Sequence, residues 1–407
     1  MTLPGTDPNS IPPGTAAEPS GTPERHLIPP DPAGTLEGLR NAGYTTHTAV
    51  ADLIDNSLAG GATRVEVQLY QDCGRWLLEI ADDGHGMTRD ALIEAMRLSA
   101  RSTEPRHERD LGRYGIGMKA AALHLSGSGR MEIDTRTATG DGGLTGWSLD
   151  SVREEGWTIE VTDSLRRTHG TTVIIPDPLV AGEDASGHLA RLWQHLSLVF
   201  AVQAAQDVYL SVQGRRVLPV DVLGEEMDGT RLRGPWPLDE GRVNVTGYIL
   251  PPTDPDGSVP GWFPSRTDLS GLHLRRGGRA ITHGGWTGLA RKGHPPSDRV
   301  RLLVEIRPED GDRWGVDLTK SRMVIPADLL HRLQELADDL VGRAQRMRGL
   351  RQDAGGSPHP VPAAPGTGTI WTADGHIDRN HPVAAWALRE GGDAVKRLFE
   401  ELERGGA

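Results

Sequence analysis

The 407-residue sequence has few cysteines and few aromatic residues, and it contains no long apolar run. Its one cysteine, Cys73, excludes a disulfide framework within the chain and fits a reducing cytoplasm. No apolar run approaches the roughly 20 residues that a helix needs to span a bilayer, and the N-terminus lacks the apolar core of a signal peptide. We therefore expect a soluble, cytoplasmic protein that is not associated with a membrane.

Positive charge is also in short supply, since 44 lysines and arginines are outnumbered by 56 aspartates and glutamates. A net charge of −12 does not favour uniform binding to nucleic acid, because phosphate contacts need clustered Lys and Arg. Contact with DNA would therefore have to be local. Two basic clusters are candidates, although a solvated strand edge and loop explain them at least as well: Arg275, Arg276 and Arg279, then Arg291, Lys292 and His294.

Composition and periodicity divide the chain into successive parts. Residues 1–33 are rich in Pro, Gly, Ser and Thr and predict a disordered N-terminal arm. Residues 34–182 and 183–352 each combine strands and helices, so we expect a domain in each. A Gly/Pro linker at 353–368 precedes a C-terminal helical segment at 369–407.

Alternating apolar runs and turn residues predict the elements of both domains. In the first domain we expect strands at 63–70, 75–82, 131–137, 143–150, 156–163 and 170–177, and helices at 35–44, 49–62, 89–99 and 119–125. In the second we expect a helix near 187–205, strands at 207–219, 241–251, 272–282 and 299–308, and a helix at 326–350. The pattern predicts a two-layer α/β domain followed by an α+β domain.

The helix at 49–62 would carry a carboxylate and an amide on one face, because Asp52 and Asn56 are four residues apart with Asp55 beside them. A carboxylate can polarise an attacking water, and an amide oxygen one turn later can help to hold magnesium against a triphosphate. For this stretch alone, a solvated polar face is the simpler interpretation.

The strand that ends at Asp82 runs into the motif Asp83-Gly84-His85-Gly86-Met87. Glycines at a strand end let the backbone turn sharply and approach a ligand closely. A buried carboxylate there can accept a hydrogen bond from a donor such as the exocyclic amine of adenine. Taken alone, the motif is more often a plain Asp-Gly turn.

A charged stretch at 99–113, which is either a solvated loop or a mobile lid, overlaps the sequence Gly112-Arg113-Tyr114-Gly115-Ile116-Gly117-Met118-Lys119. Glycines before a helix expose backbone N–H groups, which together with the helix dipole form an anion site. The spacing matches neither the Walker motif nor a convincing dinucleotide fingerprint. Further along, the hydroxyl of Thr171 at a strand start is suited to bond a base or its bridging water.

In this order the motifs resemble those of the GHKL ATPases, which include MutL-type mismatch-repair proteins, gyrase B, heat-shock chaperones, histidine kinases and MORC proteins. The sequences LRNAGY, ADLIDNS and GRYGIGMKAA are most similar to bacterial MORC-like members. The resemblance covers roughly residues 35–180 and implies a two-layer α/β sandwich of the Bergerat (GHKL) ATP-binding type. The second domain resembles the α+β transducer domain of MutL and MORC proteins.

The resemblance implies ATP and magnesium as ligands and gives each motif a role. Asp52 would be the general base for water, Asn56 a magnesium ligand and Asp82 the acceptor for the adenine amine. Lys320, in the loop LTKSR, would reach the terminal phosphate, although a plain surface lysine is a serious alternative. The base pocket would include Gly84, Gly86, Met87 and Thr171, and the phosphate cradle Gly112, Arg113, Gly115, Gly117, Met118 and Lys119.

Most of these families have Glu where this chain has Asp52, and the shorter side chain predicts slow turnover. Asp55 is a less suitable base because it sits further around the helix. The resemblance also implies that ATP binding orders the 99–113 lid and pairs two subunits into an ATP-dependent homodimer.

We therefore expect a MORC-like ATPase whose nucleotide-gated dimerisation acts on DNA, or on a DNA-processing or defence protein, in genome defence. The alternative from another class is a chaperone-like or scaffold clamp for protein partners, which the lack of a long client-binding domain disfavours. A histidine kinase would need a phosphoacceptor histidine in a helical hairpin, which neither His26 nor His47 provides. A Rossmann oxidoreductase would need βαβ units rather than antiparallel hairpins.

Overall fold

The computed structural model describes residues 26, 28, 30–98, 115–182, 184–206, 208–252, 264–286, 288–289, 296–352 and 396. Most of the predicted N-terminal arm, the linker and nearly all of the C-terminal segment lie outside these residues. So do the predicted lid, Gly112, Arg113 and the second basic cluster of Arg291, Lys292 and His294. The two sheets described below belong to one unit, Pro32–Ala407.

Two helices precede the first strand, α1 (Pro32–Arg40) and α2 (Thr46–Ala59). Thr45 caps α2 by accepting a hydrogen bond from the N–H of Thr48, whose own side chain returns a bond to the backbone of Thr45. The apolar spacing of α2 predicts a buried face, and this face is buried in the structure: Val50, Leu53 and Ile54.

A seven-stranded sheet forms the first layer. Its strands are β1 (Arg64–Asp72), β2 (Arg75–Asp82), β3 (Arg130–Arg136), β4 (Gly142–Ser148), β5 (Gly170–Pro176), β6 (Tyr209–Val212) and β7 (Arg215–Arg216). Their order is β4-β3-β5-β2-β1-β6-β7, and only the β1–β6 pair is parallel. The alternating strands present one apolar face to the helices, because Val65, Val67 and Leu69 of β1 are buried and their neighbours are not.

The helices of the second layer are α3 (Arg89–Met96), α4 (Gly117–Leu125), α5 (Leu149–Glu155), α6 (Ala185–Val199) and α7 (Ala201–Ala205). Helices α2 and α4 pack side by side over the sheet through small and aliphatic residues, including the buried run Ala120, Ala121 and Ala122. The predicted two-layer α/β architecture of this region is confirmed.

The first sheet extends beyond the predicted boundary at residue 182. Buried residues of α6, such as Leu192 and Leu196, belong to the same core as β1 and β2. Strand β6 then adds to the edge of β1, with Leu210 opposite Val65. Residues 185–217 therefore complete the first core, although the sequence pattern assigned them to the second domain.

One predicted strand is wrong. Residues 156–163 form no strand, and only Thr162 makes an isolated bridge to Leu144. Helix α5 occupies the preceding segment and ends at Gly156, whose φ is +70°, and the chain that follows meets the edge strand β4 only at that bridge. Trp157 is 41% exposed, so one face of the expected strand is solvated rather than packed.

A five-stranded sheet forms the second region, with β8 (Arg231–Leu238), β9 (Val243–Ile249), β10 (Gly271–Arg276), β11 (Arg279–Thr282) and β12 (Val300–Ile306). Its order is β11-β10-β12-β9-β8. The edge strand β8 was not predicted, since its two prolines remove backbone donors from the pattern.

The long helix α8 (Ala327–Gln352) covers one face of this second sheet. Its buried residues Leu333, Ala337 and Leu340 follow helical spacing, and Gly247 of β9 leaves the room that Leu340 fills. The predicted α+β character of the second region is confirmed. Among the helices that the structure describes, none combines the length and apolar content that crossing a membrane requires.

Candidate functional site

Helix α2 directs two acidic side chains into the interior, and both have partners there. Asp52 is 3% exposed; its Oδ2 accepts a hydrogen bond from the Tyr44 hydroxyl at 2.8 Å. Its Oδ1 accepts one from Nζ of Lys320 at 2.5 Å. The lysine therefore reaches the carboxylate that the sequence predicts as general base, across 268 positions of sequence.

The second carboxylate, Asp55, shares the same lysine. Its Oδ2 lies 2.8 Å from Nζ of Lys320, and its Oδ1 accepts a hydrogen bond of 2.9 Å from Nε of Arg279. Two buried anions are thus balanced by two buried cations, which is the condition under which charged groups tolerate an interior site. We refer to these residues together as the Asp52 cluster: Tyr44, Asp52, Asp55, Arg279 and Lys320.

Local structure explains how the two cations reach α2. Lys320 lies in a turn with a backbone φ of +52°, which the Asp317 carboxylate stabilises by accepting hydrogen bonds from the N–H groups of Ser321 and Arg322. Arg279 begins β11 and donates from Nη1 to the carbonyl of Lys320 at 3.1 Å. The strand and the turn therefore hold each other in place against α2.

Tyr44 serves only as a hydrogen-bond donor in this cluster. Burial raises the pKa of its phenol well above its usual range, and the charge of Asp52 and the hydrogen bond to it act in the same direction. The hydroxyl therefore keeps its proton at any physiological pH and fixes the orientation of the Asp52 carboxylate.

The N-terminus of α4 lies directly beside Asp52. A Cβ atom placed on Gly117 would be 2.8 Å from Oδ2 of Asp52, so the absence of a side chain permits this approach. Ile116 at the N-cap contributes no side-chain hydrogen bond to the helix. The first N–H groups of α4, those of Gly117, Met118 and Lys119, are therefore suited to bind an anion next to Asp52.

The side chain of Lys119 does not take the predicted place in the phosphate cradle. Its Nζ is buried and donates to the carbonyls of Ala95 at 2.5 Å and Arg97 at 2.8 Å, at the C-terminal end of α3. Burial lowers its pKa to about 8, although nearby Glu94 opposes the change. Only the backbone N–H of Lys119 remains a candidate for anion binding. Gly115 precedes the helix with a φ of +60°.

A second group of residues surrounds Asp82 at the end of β2. Its Oδ1 accepts hydrogen bonds from the backbone N–H groups of Gly84 and Thr171, both at 2.9 Å, and its Oδ2 accepts one from the Ser57 hydroxyl at 2.8 Å. Burial raises the pKa of this carboxyl above its ordinary value, while these three hydrogen bonds partly offset the effect. We call Ser57, Asp82, Gly84, Gly86 and Thr171 the Asp82 pocket.

The glycines of this pocket allow backbone segments to approach each other. A Cβ atom on Gly84 would lie 2.6 Å from the carbonyl oxygen of Gly60, and one on Gly86, whose φ is +68°, would lie 2.0 Å from that of Arg136. Met87 donates from its backbone N–H to the hydroxyl of Thr135, which also contacts the Thr171 hydroxyl at 3.0 Å. The predicted pocket residues therefore do come together, although the hydroxyl of Thr171 already has a protein partner.

Asn56 is exposed on α2, between the two groups. Among the described residues, no three His, Cys, Asp or Glu side chains are arranged to hold a metal ion. Magnesium is commonly held by few protein ligands, together with phosphate oxygens and water. The exposed amide of Asn56, one turn after Asp52 on α2, fits a magnesium site that is completed by phosphate oxygens and water.

The first predicted basic cluster, Arg275, Arg276 and Arg279, does not form an exposed basic surface. Arg276 is 3% exposed and donates to the carbonyl of Pro308, and Arg279 is 2% exposed and belongs to the Asp52 cluster. The alternation of β10 and β11 turns these side chains inward, so only Arg275 of the three remains half-buried. Two other participants, Tyr44 and Ser57, were missed, although both lie in or next to the quoted motifs LRNAGY and ADLIDNS.

Part of this chain is similar in sequence to known ATPases. Residues 44–172 match a family model described as histidine kinase-, DNA gyrase B-, and HSP90-like ATPase. The chain is 26% identical over 374 residues to the DNA mismatch repair protein MutL of Anaeromyxobacter dehalogenans. The aligned region covers 84% of this chain and 58% of that protein.

Two further relatives are also DNA mismatch repair proteins MutL. That of Paramagnetospirillum magneticum is 26% identical over 319 residues, 70% of this chain and 49% of the relative. That of Gemmatimonas aurantiaca is 32% identical over 129 residues, 31% of this chain and 20% of the relative. The chain thus spans 58% of the first relative's length and less of the other two.

Proposed function

We propose that residues 44–172, which match the histidine kinase-, DNA gyrase B-, and HSP90-like ATPase model, form a GHKL-type ATPase domain, and that the protein binds and hydrolyses magnesium-ATP and uses the cycle to control its own dimerisation. The observation that carries the proposal is the position of Asp52. Its carboxylate lies between the Lys320 ammonium and the N-terminus of α4, where Gly117 leaves no side chain in the way. A base, a cation and an anion site therefore converge on one point.

This arrangement suits phosphoryl transfer to water, which depends mainly on positioning and charge neutralisation. The N–H groups of Gly117, Met118 and Lys119 would bind phosphate oxygens, and the Lys320 ammonium would neutralise charge on the terminal phosphate. Asp52 would orient the attacking water and accept its proton. Asn56 would hold the magnesium ion, which bridges phosphate oxygens when it is bound.

The Asp82 pocket would bind the adenine base. A carboxylate offers about four acceptor positions, and three of those of Asp82 are used by Ser57, Gly84 and Thr171. One acceptor position is left for the exocyclic amine. Because the three protein donors also fix the plane of the carboxylate, the pocket would distinguish adenine from a base that lacks a donor at that edge.

The proposed output of the cycle is an action on DNA or on a DNA-processing partner. The relatives matched over most of this chain are DNA mismatch repair proteins, whereas the motifs LRNAGY and ADLIDNS support a MORC-like role in genome defence. Arg276 and Arg279 are internal, so any phosphate contact would have to involve other basic residues. The short Asp52 side chain supports slow turnover.

Calorimetry and hydrolysis assays test the nucleotide part of this proposal. Wild type should bind magnesium-ATP, and Asp82→Asn should bind it much more weakly, because the amide replaces an acceptor with a donor. Asp83→Asn is the matched control: the neighbouring carboxylate accepts from Thr63 and Arg64 instead and should bind ATP normally. Folded wild-type protein that gives no heat with magnesium-ATP would overturn the proposal.

Asp52→Asn tests the base. It should bind ATP with nearly unchanged affinity while hydrolysis falls by about 10²–10⁴-fold, the usual contribution of a general base. Light scattering with a non-hydrolysable ATP analogue should show dimers for both wild type and the variant. Hydrolysis at the wild-type rate in Asp52→Asn would remove Asp52 from the mechanism, and monomers throughout would remove the dimerisation.

A further inference from the structure

Asp55 has no task in the mechanism above, yet both of its oxygens are engaged by cations. Its Oδ1 is 2.9 Å from Nε of Arg279; its Oδ2 is 2.7 Å from the same atom and 2.8 Å from Nζ of Lys320. The carboxylate is 5% exposed. Asp52 lies beside the N-terminus of α4, whereas the oxygens of Asp55 face Arg279 and Lys320. Asp55 is therefore not a substitute for Asp52.

We propose that Asp55 is a positioning residue that acts on hydrolysis through Lys320. It holds the ammonium at a fixed point between the two carboxylates, so that one donor faces Asp52 and another is left for the terminal phosphate. The inference rests on the proposed roles of Asp52 and Lys320 and adds the group that sets their geometry.

The donor count of the lysine supports this role. An ammonium has three N–H donors, and Lys320 directs one to Asp52 and one to Asp55. Two fixed bonds define the direction of the third. With Asp55 removed, the ammonium would keep a single carboxylate partner, Asp52, and would be free to rotate about that bond. The ammonium would then lie closer to the Asp52 carboxylate, and its third N–H would no longer point at the terminal phosphate.

The charge balance explains why Asp55 needs Arg279. Lys320 alone cannot neutralise two buried carboxylates, and an uncompensated charge in the interior is strongly unfavourable. Arg279 provides the second positive charge from a strand of the second sheet and also donates to the carbonyl of Lys320. The ion pair between Asp55 and Arg279 thus connects α2 to the second sheet. The position of the Lys320 ammonium depends on this ion pair.

A double-mutant cycle on kcat separates positioning from a merely structural role. The variants are Asp55→Asn, Lys320→Met and both together, measured by single-turnover hydrolysis, with ATP affinity from calorimetry and folding from thermal unfolding. Asp55→Asn should slow hydrolysis roughly ten- to a hundredfold, the effect of a misplacement of about 1 Å, while the Kd for ATP changes little. In the Lys320→Met background the same substitution should have no further effect on hydrolysis, because there is no ammonium left to position.

Three results would overturn the inference. The first is unchanged hydrolysis in Asp55→Asn, and the second is a double variant whose rate falls by the product of the two single-variant factors. The third is a loss of ATP affinity in Asp55→Asn as large as its loss of hydrolysis rate. If Asp55→Asn fails to fold, Asp55→Glu replaces it. This variant keeps the charge but moves the carboxylate by one methylene, so it should slow hydrolysis less and again only when Lys320 is present. Absence of ATP binding in wild type would instead refute the proposed function itself, and normal hydrolysis in Asp52→Asn would remove the role proposed for Asp52.

Discussion

The Asp82 pocket and the Asp52 cluster both include residues of α2, but they are held together by different kinds of partner. Asp82 receives neutral donors from Ser57, Gly84 and Thr171, all within 89 positions of it in the sequence. Asp52 and Asp55 receive cations from positions 224 to 268 residues away, in the region of the second sheet. The first group is complete within one domain, whereas the second exists only when the two sheets are docked.

This difference bears on how an ATP cycle could be coupled to movement. The hydrogen bonds of the Asp82 pocket come from neutral donors in helix α2, a loop and strand β5, so the pocket does not depend on the second sheet. A buried ion network across two sheets stays in place only while every partner is present, because each charge left alone is costly. Under the proposed function, binding of the base and hydrolysis of the phosphate would therefore be controlled by separate parts of the molecule, and only hydrolysis would depend on the docking of the two sheets.

The largest expected effect comes from breaking the ion network. Arg279→Met should lower the free energy of unfolding by about 3–5 kcal/mol, because it leaves two buried carboxylates with one cation. Chemical denaturation measures this directly. The control is Arg153→Met on the surface, where the pairs with Glu37 at 3.2 Å and Asp150 at 2.9 Å are exposed; there the loss should be about 0–1 kcal/mol. Equal losses in the two variants would show that the cluster is not a special attachment point.

A smaller effect is expected when the Asp82 pocket is perturbed through its backbone. In Gly86→Ala the new Cβ would lie 2.0 Å from the carbonyl oxygen of Arg136 at a φ of +68°, and we expect a loss of about 2–3 kcal/mol in stability. Gly61→Ala is the matched control, since its φ is +74° but nothing lies within 4 Å. It should lose only about 1 kcal/mol.

The two glycine variants should also differ in ligand binding. Gly86→Ala should weaken ATP binding in calorimetry, because Gly86 and Met87 connect β2 to the strand that carries Thr135. Gly61→Ala should bind ATP as wild type does. A Gly86→Ala protein with normal stability and normal ATP affinity would show that the close approach at this glycine is not required.

The same contrast explains what could be predicted from the sequence. Three residues of the Asp82 pocket, Asp82, Gly84 and Gly86, lie in one short motif at a strand end, so the sequence pattern identified them together. Arg279 was assigned to a basic surface because no sequence signal links position 279 to position 55. Lys119 was assigned to the phosphate cradle because its position at a helix start is visible, but the carbonyls of Ala95 and Arg97 that attract its side chain are not.

The strand predictions likewise succeeded where the paired segments are close in the sequence. The hairpin of β1 and β2 was correct because both of its strands and its turn are contiguous in the sequence. Residues 156–163 alternate equally well, yet they meet the edge strand β4 at only one isolated bridge, between Thr162 and Leu144. Strand β6 joined the first sheet through a parallel pair that only tertiary structure defines. Local pattern therefore predicts which segments are suited to be strands, whereas tertiary structure decides which of them pair with a sheet.

The smallest effect concerns pH and distinguishes the second sheet from the Asp82 pocket. His273 in β10 is 2% exposed; burial lowers the pKa of its imidazole to about 3, with the charges of Arg301, His283 and Arg275 acting in the same direction and a hydrogen bond to Leu269 opposing them. The unfolded chain would protonate this residue near pH 6.5, and the folded protein only near pH 3. Its contribution to stability is therefore complete above pH 6.5 and is lost as the pH falls towards 3.

Unfolding by denaturant between pH 7.5 and pH 5 should thus show stability decreasing with acidity, by up to about 1.4 kcal/mol per pH unit for each such histidine. His273→Gln should reduce this slope by the amount that one proton contributes. Glutamine can still donate a hydrogen bond to the Leu269 carbonyl, but it does not titrate. His331→Gln, at an exposed position of α8, should leave the slope unchanged. If His273→Gln leaves the slope unchanged, the second sheet tolerates a positive charge at position 273 despite its burial.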